Sequence, residues 1–251
     1  MAVTIKSARE IELMRKAGEI LAHTLEELEA SIRPGMTTHD VDHLGEKIIR
    51  GFGCIPSFKN YNGFPASICV SVNDEVVHGI PSKHRYLEEG DIVSLDAGVI
   101  YKGYHSDAAR TVAVGTISQE AAKLIEVTRQ CFFEGMKFAK AGNHLNDISS
   151  AIQAYAEQFG YGVVRDLVGH GIGTHLHEDP EVPNFAQKKK GIRLEPGMTL
   201  AVEPMINAGR PDVIWMDDEW TVKTEDGSLS AHYENTILIT DGDPQILSLR
   251  Q

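Results

Sequence analysis

The sequence predicts an α+β fold built from two similar halves, with sheets meeting at the centre and helices outside. Three observations carry this. The first is a repeat: Glu88-Glu89-Gly90-Asp91-Ile92-Val93-Ser94-Leu95-Asp96 reads against Glu195-Pro196-Gly197-Met198-Thr199-Leu200-Ala201-Val202-Glu203, so Gly90 and Gly197 lie 107 positions apart, as do Asp96 and Glu203. Gly35 and Gly142, Asp40 and Asp147, Phe52 and Phe159, and Gly53 and Gly160 share the offset, whereas Val77-His78-Gly79-Ile80 matches Gly169-His170-Gly171-Ile172 at 92. The second is that each half runs helix, helix, then short strands. The third is an acid buried in strand hydrophobics at the matched positions. Two halves of about 8–115 and 116–240 are expected to form one catalytic domain over 1–251, pseudo-symmetric, with its site at the shared seam.

The elements follow in order. Ser7-Ala8-Arg9-Glu10 is a capping-box pattern, and Ile11, Met14, Leu21, Leu25 and Leu28 follow at helical spacing. That helix should end before Pro34-Gly35. A second should start near Thr38, present Val41, Leu44 and Ile48, and end at Gly51 or Gly53. In the second half Ser118 should cap a long helix stopping at Gly142. Another should run from about Asn146 to Gly160 with Ile148, Ile152, Tyr155 and Phe159 on its face. Strand-like runs are Ser67–Val72, Ile92–Ile100, Arg110–Val114, Val163–Leu167, Met198–Val202 and Thr236–Ile239.

Bulk properties narrow the function. At 251 residues there is ample length for a core. A formal charge of −12 argues against general nucleic-acid binding and suits a bound metal or a cationic substrate. No apolar stretch approaches the roughly 20 residues of a membrane span, and the first residues do not read as a signal peptide. Cys54, Cys69 and Cys131 form no CxxC pair and read as reduced thiols in a cytoplasmic protein.

The acids carry the chemistry. Tyr101-Lys102-Gly103 reads as a hairpin turn between Asp91–Ile100 and Tyr104–Val114. An even-membered turn places Asp96 either directly opposite Asp107 or one step diagonal to it, on one face in both cases, with Cβ atoms roughly 5–8 Å apart. Two buried carboxylates so placed repel unless a cation or proton joins them. For this pair taken alone, exposed turn acids are the alternative. Glu203 and Glu234 sit in apolar strand runs, where an acid rarely serves solubility. Gly169–Glu178 packs His170, His175 and His177 among glycines, which admit close approach of backbone or ligand. Four acids and one histidine make an oxygen-rich set suited to Mn²⁺, Fe²⁺ or Co²⁺. Two divalent ions would neutralise the four carboxylates, and a bridging hydroxide would leave the site slightly anionic, ready for an amine. Amide hydrolysis is the natural chemistry of such a pair.

With these residues in view the chain resembles the type I methionine aminopeptidases of peptidase family M24. The similarity runs from about Ser7 to Thr240 and includes Val77-His78-Gly79-Ile80-Pro81, Asp96-Ala97-Gly98, His170-Gly171-Ile172-Gly173, His177-Glu178-Asp179-Pro180 and Gly197-Met198. The resemblance implies the pita-bread fold, a pseudo-two-fold arrangement with a central, mainly antiparallel sheet. It implies two divalent ions (Co, Mn, Fe or Zn), with Asp107 and Glu234 bridging them, Asp96 on one, and His170 and Glu203 on the other. It implies Glu203 as proton shuttle, His177 at the scissile carbonyl oxygen, His78 at the scissile amide nitrogen, and a metal-bridged hydroxide as nucleophile. Phe58, Tyr61, Phe64, Cys69, Leu176 and Trp220 match the methionine pocket, although Phe58, Asn62 and Leu176 depart from commoner family residues. Asn73, Glu75 and Ser230 match a monovalent-cation site for an ion such as Na⁺.

The implied substrates are N-termini of newly made chains whose second residue is small. The implied protein is a cytoplasmic monomer with no membrane and no specific nucleic-acid partner. Lys188-Lys189-Lys190 with Arg193 reads first as a solvated loop and second as a transient ribosome contact. Three rival readings fit less well. X-Pro aminopeptidases and prolidases carry a further domain ahead of the catalytic pattern, which here starts near residue 1. A type II enzyme needs a helical insertion between Glu203 and Glu234, where there is no room. A non-catalytic module of the same fold would lose ligands, and all five are present.

Overall fold

The computed structural model describes residues 3–250. The first half opens with α1 (Ala8–Ser31) and α2 (Thr38–Gly51). Both start in capping boxes. Ser7 Oγ accepts from Glu10 N–H while the Glu10 carboxylate accepts from Ser7 N–H, and Thr37 and Asp40 repeat the exchange. Each cap contributes about 1 kcal/mol, enough to fix where a helix begins. Strands β1 (Ile55–Pro56), β2 (Ile68–Val72), β3 (Glu75–Val77), β4 (Ile92–Tyr101) and β5 (Tyr104–Ala113) follow. Along β4, the strands β1 and β2 pair with one edge and β5 with the other, all antiparallel.

The second half opens with α3 (Gln119–Met136) and α4 (Leu145–Glu157). Ten strands follow: β6 (Gly162–Val163), β7 (Gly169–Gly171), β8 (Glu178–Val182), β9 (Thr199–Val202), β10 (Met205–Asn207), β11 (Val213–Trp215), β12 (Val222–Thr224), β13 (Ser230–His232), β14 (Asn235–Leu238) and β15 (Gln245–Ile246). The largest sheet has the order β15-β14-β9-β7-β8, and two smaller ones run β13-β10-β6 and β11-β12-β3. The last joins the halves, because β3 comes from the first. All these pairings are antiparallel too. Among the described residues no helix is long and apolar enough to cross a membrane.

Positions 107 apart do equivalent work. Gly35 N–H donates to Leu87 O at 2.8 Å, and Gly142 N–H to Leu194 O at 2.9 Å. Isolated bridges join Thr37 to Tyr86 and His144 to Arg193. Asp40 and Asp147 each accept from the backbone N–H three residues earlier. Gly90 and Gly197 both turn with positive φ, 95° and 90°, which a side chain would resist.

Each half has its own core. Leu21, Leu25, Val41 and Ile49 pack on Ile68, Val93 and Leu95, while Leu124, Phe132, Ile148 and Ile152 pack on Leu200, Val202 and Ile237. The halves meet where β5 lies along the start of β14. Glu234 N–H donates to Ala109 O, Ala109 N–H to Glu234 O, and Asp107 N–H to Thr236 Oγ1. Arg110 is half-buried at this seam, donating to Glu234 O and Asn235 Oδ1 and stacking on Tyr233.

Some expected boundaries move. α3 ends at Met136 rather than reaching Gly142, because Gly142 and Leu145 give their N–H groups to Leu194 and Ile192 instead of to a helix. α4 ends at Glu157, leaving Phe159 exposed beyond it. On α2 the buried stripe is Val41, Gly45 and Ile49, with Leu44 and Ile48 half-buried at its edge. Gly45 lies under Ile68, so close that a Cβ would fall 2.6 Å from its side chain. Of the run Val163–Leu167 only Val163 is strand: β6 is two residues long, and the chain then turns Leu167 and Val168 towards the central cavity.

Candidate functional site

The β4–β5 hairpin closes through Lys102 and Gly103 at φ 49° and 86°, a two-residue turn whose positive φ values match the strand twist. Its register pairs Asp96 with Ala109 and Gly98 with Asp107, so the two aspartates sit one step diagonal on the same face. His170 arrives on β7 between two glycines. A Cβ at Gly169 would lie 2.3 Å from Ala201 O, and one at Gly171 would lie 2.2 Å from Asp179 O. The expected close approach is therefore backbone to backbone, with β9 on one side and β8 on the other. Glu203 follows β9, and Glu234 stands between β13 and β14 beside the Arg110 clamp.

These five side chains meet in one cavity of about 240 Å³. Ligand atoms of Asp107, His170 and Glu234 all lie within 4.8 Å of one another. His170 Nε2 is 3.8 Å from Asp107 Oδ2 and 3.6 Å from Glu203 Oε1. His170 Nδ1 is 2.9 Å from Gly171 O, an acceptor only, so Nδ1 carries the hydrogen and the Nε2 lone pair faces the acids. The Asp96 and Asp107 carboxyls lie close enough for each to shift the proton affinity of the other.

Electrostatically this cluster is under load. Burial pushes the Asp96 carboxyl up to about 7. Burial, then the neighbouring carboxylates, hold Asp107, Glu203 and Glu234 well above the usual carboxylate range. Burial also lowers His170 to about 3 and His78 to about 4, so both rings are neutral.

The apolar wall of the cavity comes from Phe58, Phe64, Cys69 and Leu176, all buried, with Tyr61 and Trp220 half-buried. Phe64 and Trp220 meet edge to face at 5.1 Å. Every residue expected of the pocket lines it. Tyr61 does something further: its hydroxyl is 2.7 Å from His177 Nδ1. His177 in turn packs at 4.2 Å, ring centre to ring centre, on His170. His78 has φ 59°, a left-handed backbone that histidine adopts more readily than most residues, and its ring faces Trp220.

Sequence reading missed several residues here. Val77, Leu167, Val168 and Met205 complete the wall, and Arg110 braces Glu234 from behind. His232 is 2 % exposed and only two residues before Glu234, an alternation that could have flagged it. Outside the cavity, Asn73, Glu75 and Ser230 come together where β3 nears β13: Ser230 N–H donates to Asn73 O, and Glu75 accepts from Val72 N–H. Lys188–Lys190 lie on an exposed loop.

The model of metallopeptidase family M24 matches residues 12–241. The chain belongs to metallopeptidase family M24. Among M24 relatives, a methionine aminopeptidase of Clostridium acetobutylicum is 58% identical over 247 residues, covering 98% of this chain and 99% of its own. The crystal structure of methionine aminopeptidase from Thermotoga maritima is 44% identical and superposes with a TM-score of 0.97, covering 99% of this chain and 100% of that one. An Xaa-Pro dipeptidase from Bacillus anthracis is 27% identical with a TM-score of 0.79, but its match spans only 62% of that longer chain. The architecture is the pita-bread fold of these M24 enzymes. Family membership brings divalent metal ions, and the cluster fits them. Asp96 Oδ1, Asp107 Oδ1 and Glu234 Oε1 are buried with no hydrogen-bond partner, which is costly for carboxylates unless cations complete the site.

Proposed function

We propose that Asp96, Asp107, His170, Glu203 and Glu234 hold two divalent cations and that the cavity beside them receives an N-terminal methionine. The reaction is removal of the initiator methionine from protein N-termini. The observation that carries the site is the set of buried, partnerless carboxylate oxygens converging with the His170 lone pair. Asp107 and Glu234, whose carboxylates converge with His170 at the centre of the cluster, would contribute to holding both ions. Co, Mn, Fe and Zn are all candidates, the oxygen-rich donors favouring the first three. When bound, the ions polarise the scissile carbonyl and acidify the attacking water.

The chain's own groups do the rest. Glu203, raised in proton affinity, accepts a proton from water and delivers it to the leaving amine. Tyr61 donates its hydroxyl hydrogen to His177 Nδ1, which leaves the ring proton on Nε2 as a donor towards the carbonyl oxygen. His78, which lines the same cavity, contacts the amide nitrogen. Phe58, Phe64, Cys69, Leu176 and Trp220 enclose the methionine side chain, with soft apolar surface matched to a thioether. The second residue must be small, because a larger one clashes beside the metal cage.

The halves 8–115 and 116–240 act as one domain, the first supplying Asp96 and Asp107 and the second the other three ligands. We place the enzyme in the cytoplasm as a monomer acting on nascent chains. Asn73, Glu75 and Ser230 are proposed to hold a monovalent cation such as Na⁺. Lys188–Lys190 are proposed as a transient ribosome contact, tested by whether Lys→Ala changes abolish salt-sensitive co-sedimentation. With Mn²⁺, Fe²⁺ or Co²⁺ supplied, the enzyme should cleave Met-Ala-Ser and leave Met-Leu-Ser intact. Equal cutting of both peptides would overturn the specificity.

A further inference from the structure

His232 ends β13 with its ring between two of the acids and no role in the scheme above. It is buried, and neither Nδ1 nor Nε2 has a hydrogen-bond partner. Nε2 lies 3.8 Å from Glu234 Oε2 and 3.9 Å from Glu203 Oε2. Both gaps are within about 1 Å of hydrogen-bonding distance. An imidazole always carries at least one N–H, and a buried N–H without an acceptor is unfavourable. The carboxylates of Glu203 and Glu234 are the acceptors in reach of Nε2.

We propose that His232 is a positioning residue of the metal cage, whose Nε2–H donates to carboxylate oxygens of Glu203 and Glu234 and holds both glutamates in ligating orientation. The inference rests on the reading that those two glutamates are metal ligands. Carboxylate ligands generally need such outer partners, since an unrestrained carboxylate rotates away from the cation and its second oxygen stays unpaired. Backbone bonds already anchor His232: its N–H donates to Thr111 Oγ1, and the same hydroxyl donates to His232 O. The ring is thus tied to β5, the strand that carries Asp107.

The test is Mn²⁺ binding by calorimetry on chelator-treated protein, with circular dichroism confirming the fold of each variant. His232→Gln keeps an N–H donor near the same place; His232→Leu removes it at similar volume. His232→Leu should bind Mn²⁺ roughly 10–100-fold more weakly, the usual effect of losing an outer partner, and His232→Gln should stay within about threefold of wild type. If His232→Leu does not fold, His232→Asn withdraws the donor with a shorter amide and should show the same loss. Wild-type affinity in the donor-less variant, or equal weakening in His232→Gln, overturns the positioning role. Failure of the wild-type protein to bind Mn²⁺ would instead remove the metal reading, and this inference with it.

Discussion

Replacing Asp96 by asparagine in the metal-free protein should stabilise the fold, by an amount that grows with pH. Burial raises this carboxyl from its ordinary 3.8 to about 7. Below 3.8 it is protonated folded and unfolded, and contributes no pH dependence. Between 3.8 and about 7 the unfolded chain releases the proton while the folded chain keeps it, so stability falls as pH rises. Above about 7 the loss is complete. At about 1.4 kcal/mol for each tenfold change in proton affinity, the full penalty is roughly 4 kcal/mol. Somewhat over a third of it is in place at pH 5 and nearly all of it at pH 7.5, so the advantage of Asp96→Asn should widen by roughly 2–3 kcal/mol between them. The variant also relieves Asp107, Glu203 and Glu234, whose carboxyls the Asp96 charge helps to raise, and that relief acts in the same direction. Urea unfolding in excess chelator at the two pH values measures it. A difference that stays flat or shrinks as pH rises would refute the claim that this carboxylate is desolvated without a partner.

Other outcomes follow from the same geometry. Tyr61→Phe should lower kcat about tenfold, the worth of one hydrogen bond, and leave KM within about twofold; an unchanged kcat removes Tyr61 from the His177 couple. Mn²⁺ at about 100 times its dissociation constant should add roughly 2.7 kcal/mol, which for a chain of this size raises Tm by about 5–11 °C in a thermal melt. Lys6 and Glu178 form a buried ion pair at 2.6 Å beside His177, so Lys6→Met should cost roughly 3–5 kcal/mol by denaturant unfolding, and the double change with Glu178→Leu should recover most of it.

Particular residues show why some of this was readable in the chain and some was not. The capping box at Ser7 is local: the cap and its partner lie three residues apart, and α1 begins where the pattern places it. Helix ends were harder. α3 stops early because of bonds to residues 192 and 194, about fifty positions away, which a window of sequence does not contain. The glycines around His170 were recognisable as markers of close approach, whereas the partner, Asp179 O on β8, was not. Arg110 was legible only as the first residue of the strand-like run Arg110–Val114. Its contacts with Tyr233 and Glu234 arise only when the halves close.

By itself the sequence determined the duplicated plan, the acids at matched strand positions, and the diagonal-or-direct choice for Asp96 and Asp107, because repeats, periodicity and turn length are properties of neighbouring residues. Only the tertiary structure decided that choice, turned Tyr61 onto His177, and set His232 against two glutamates. Those facts depend on the register of one hairpin and on how segments far apart in sequence pack together. The geometry of an interface between distant segments is settled by packing and burial, not by any local preference of the chain.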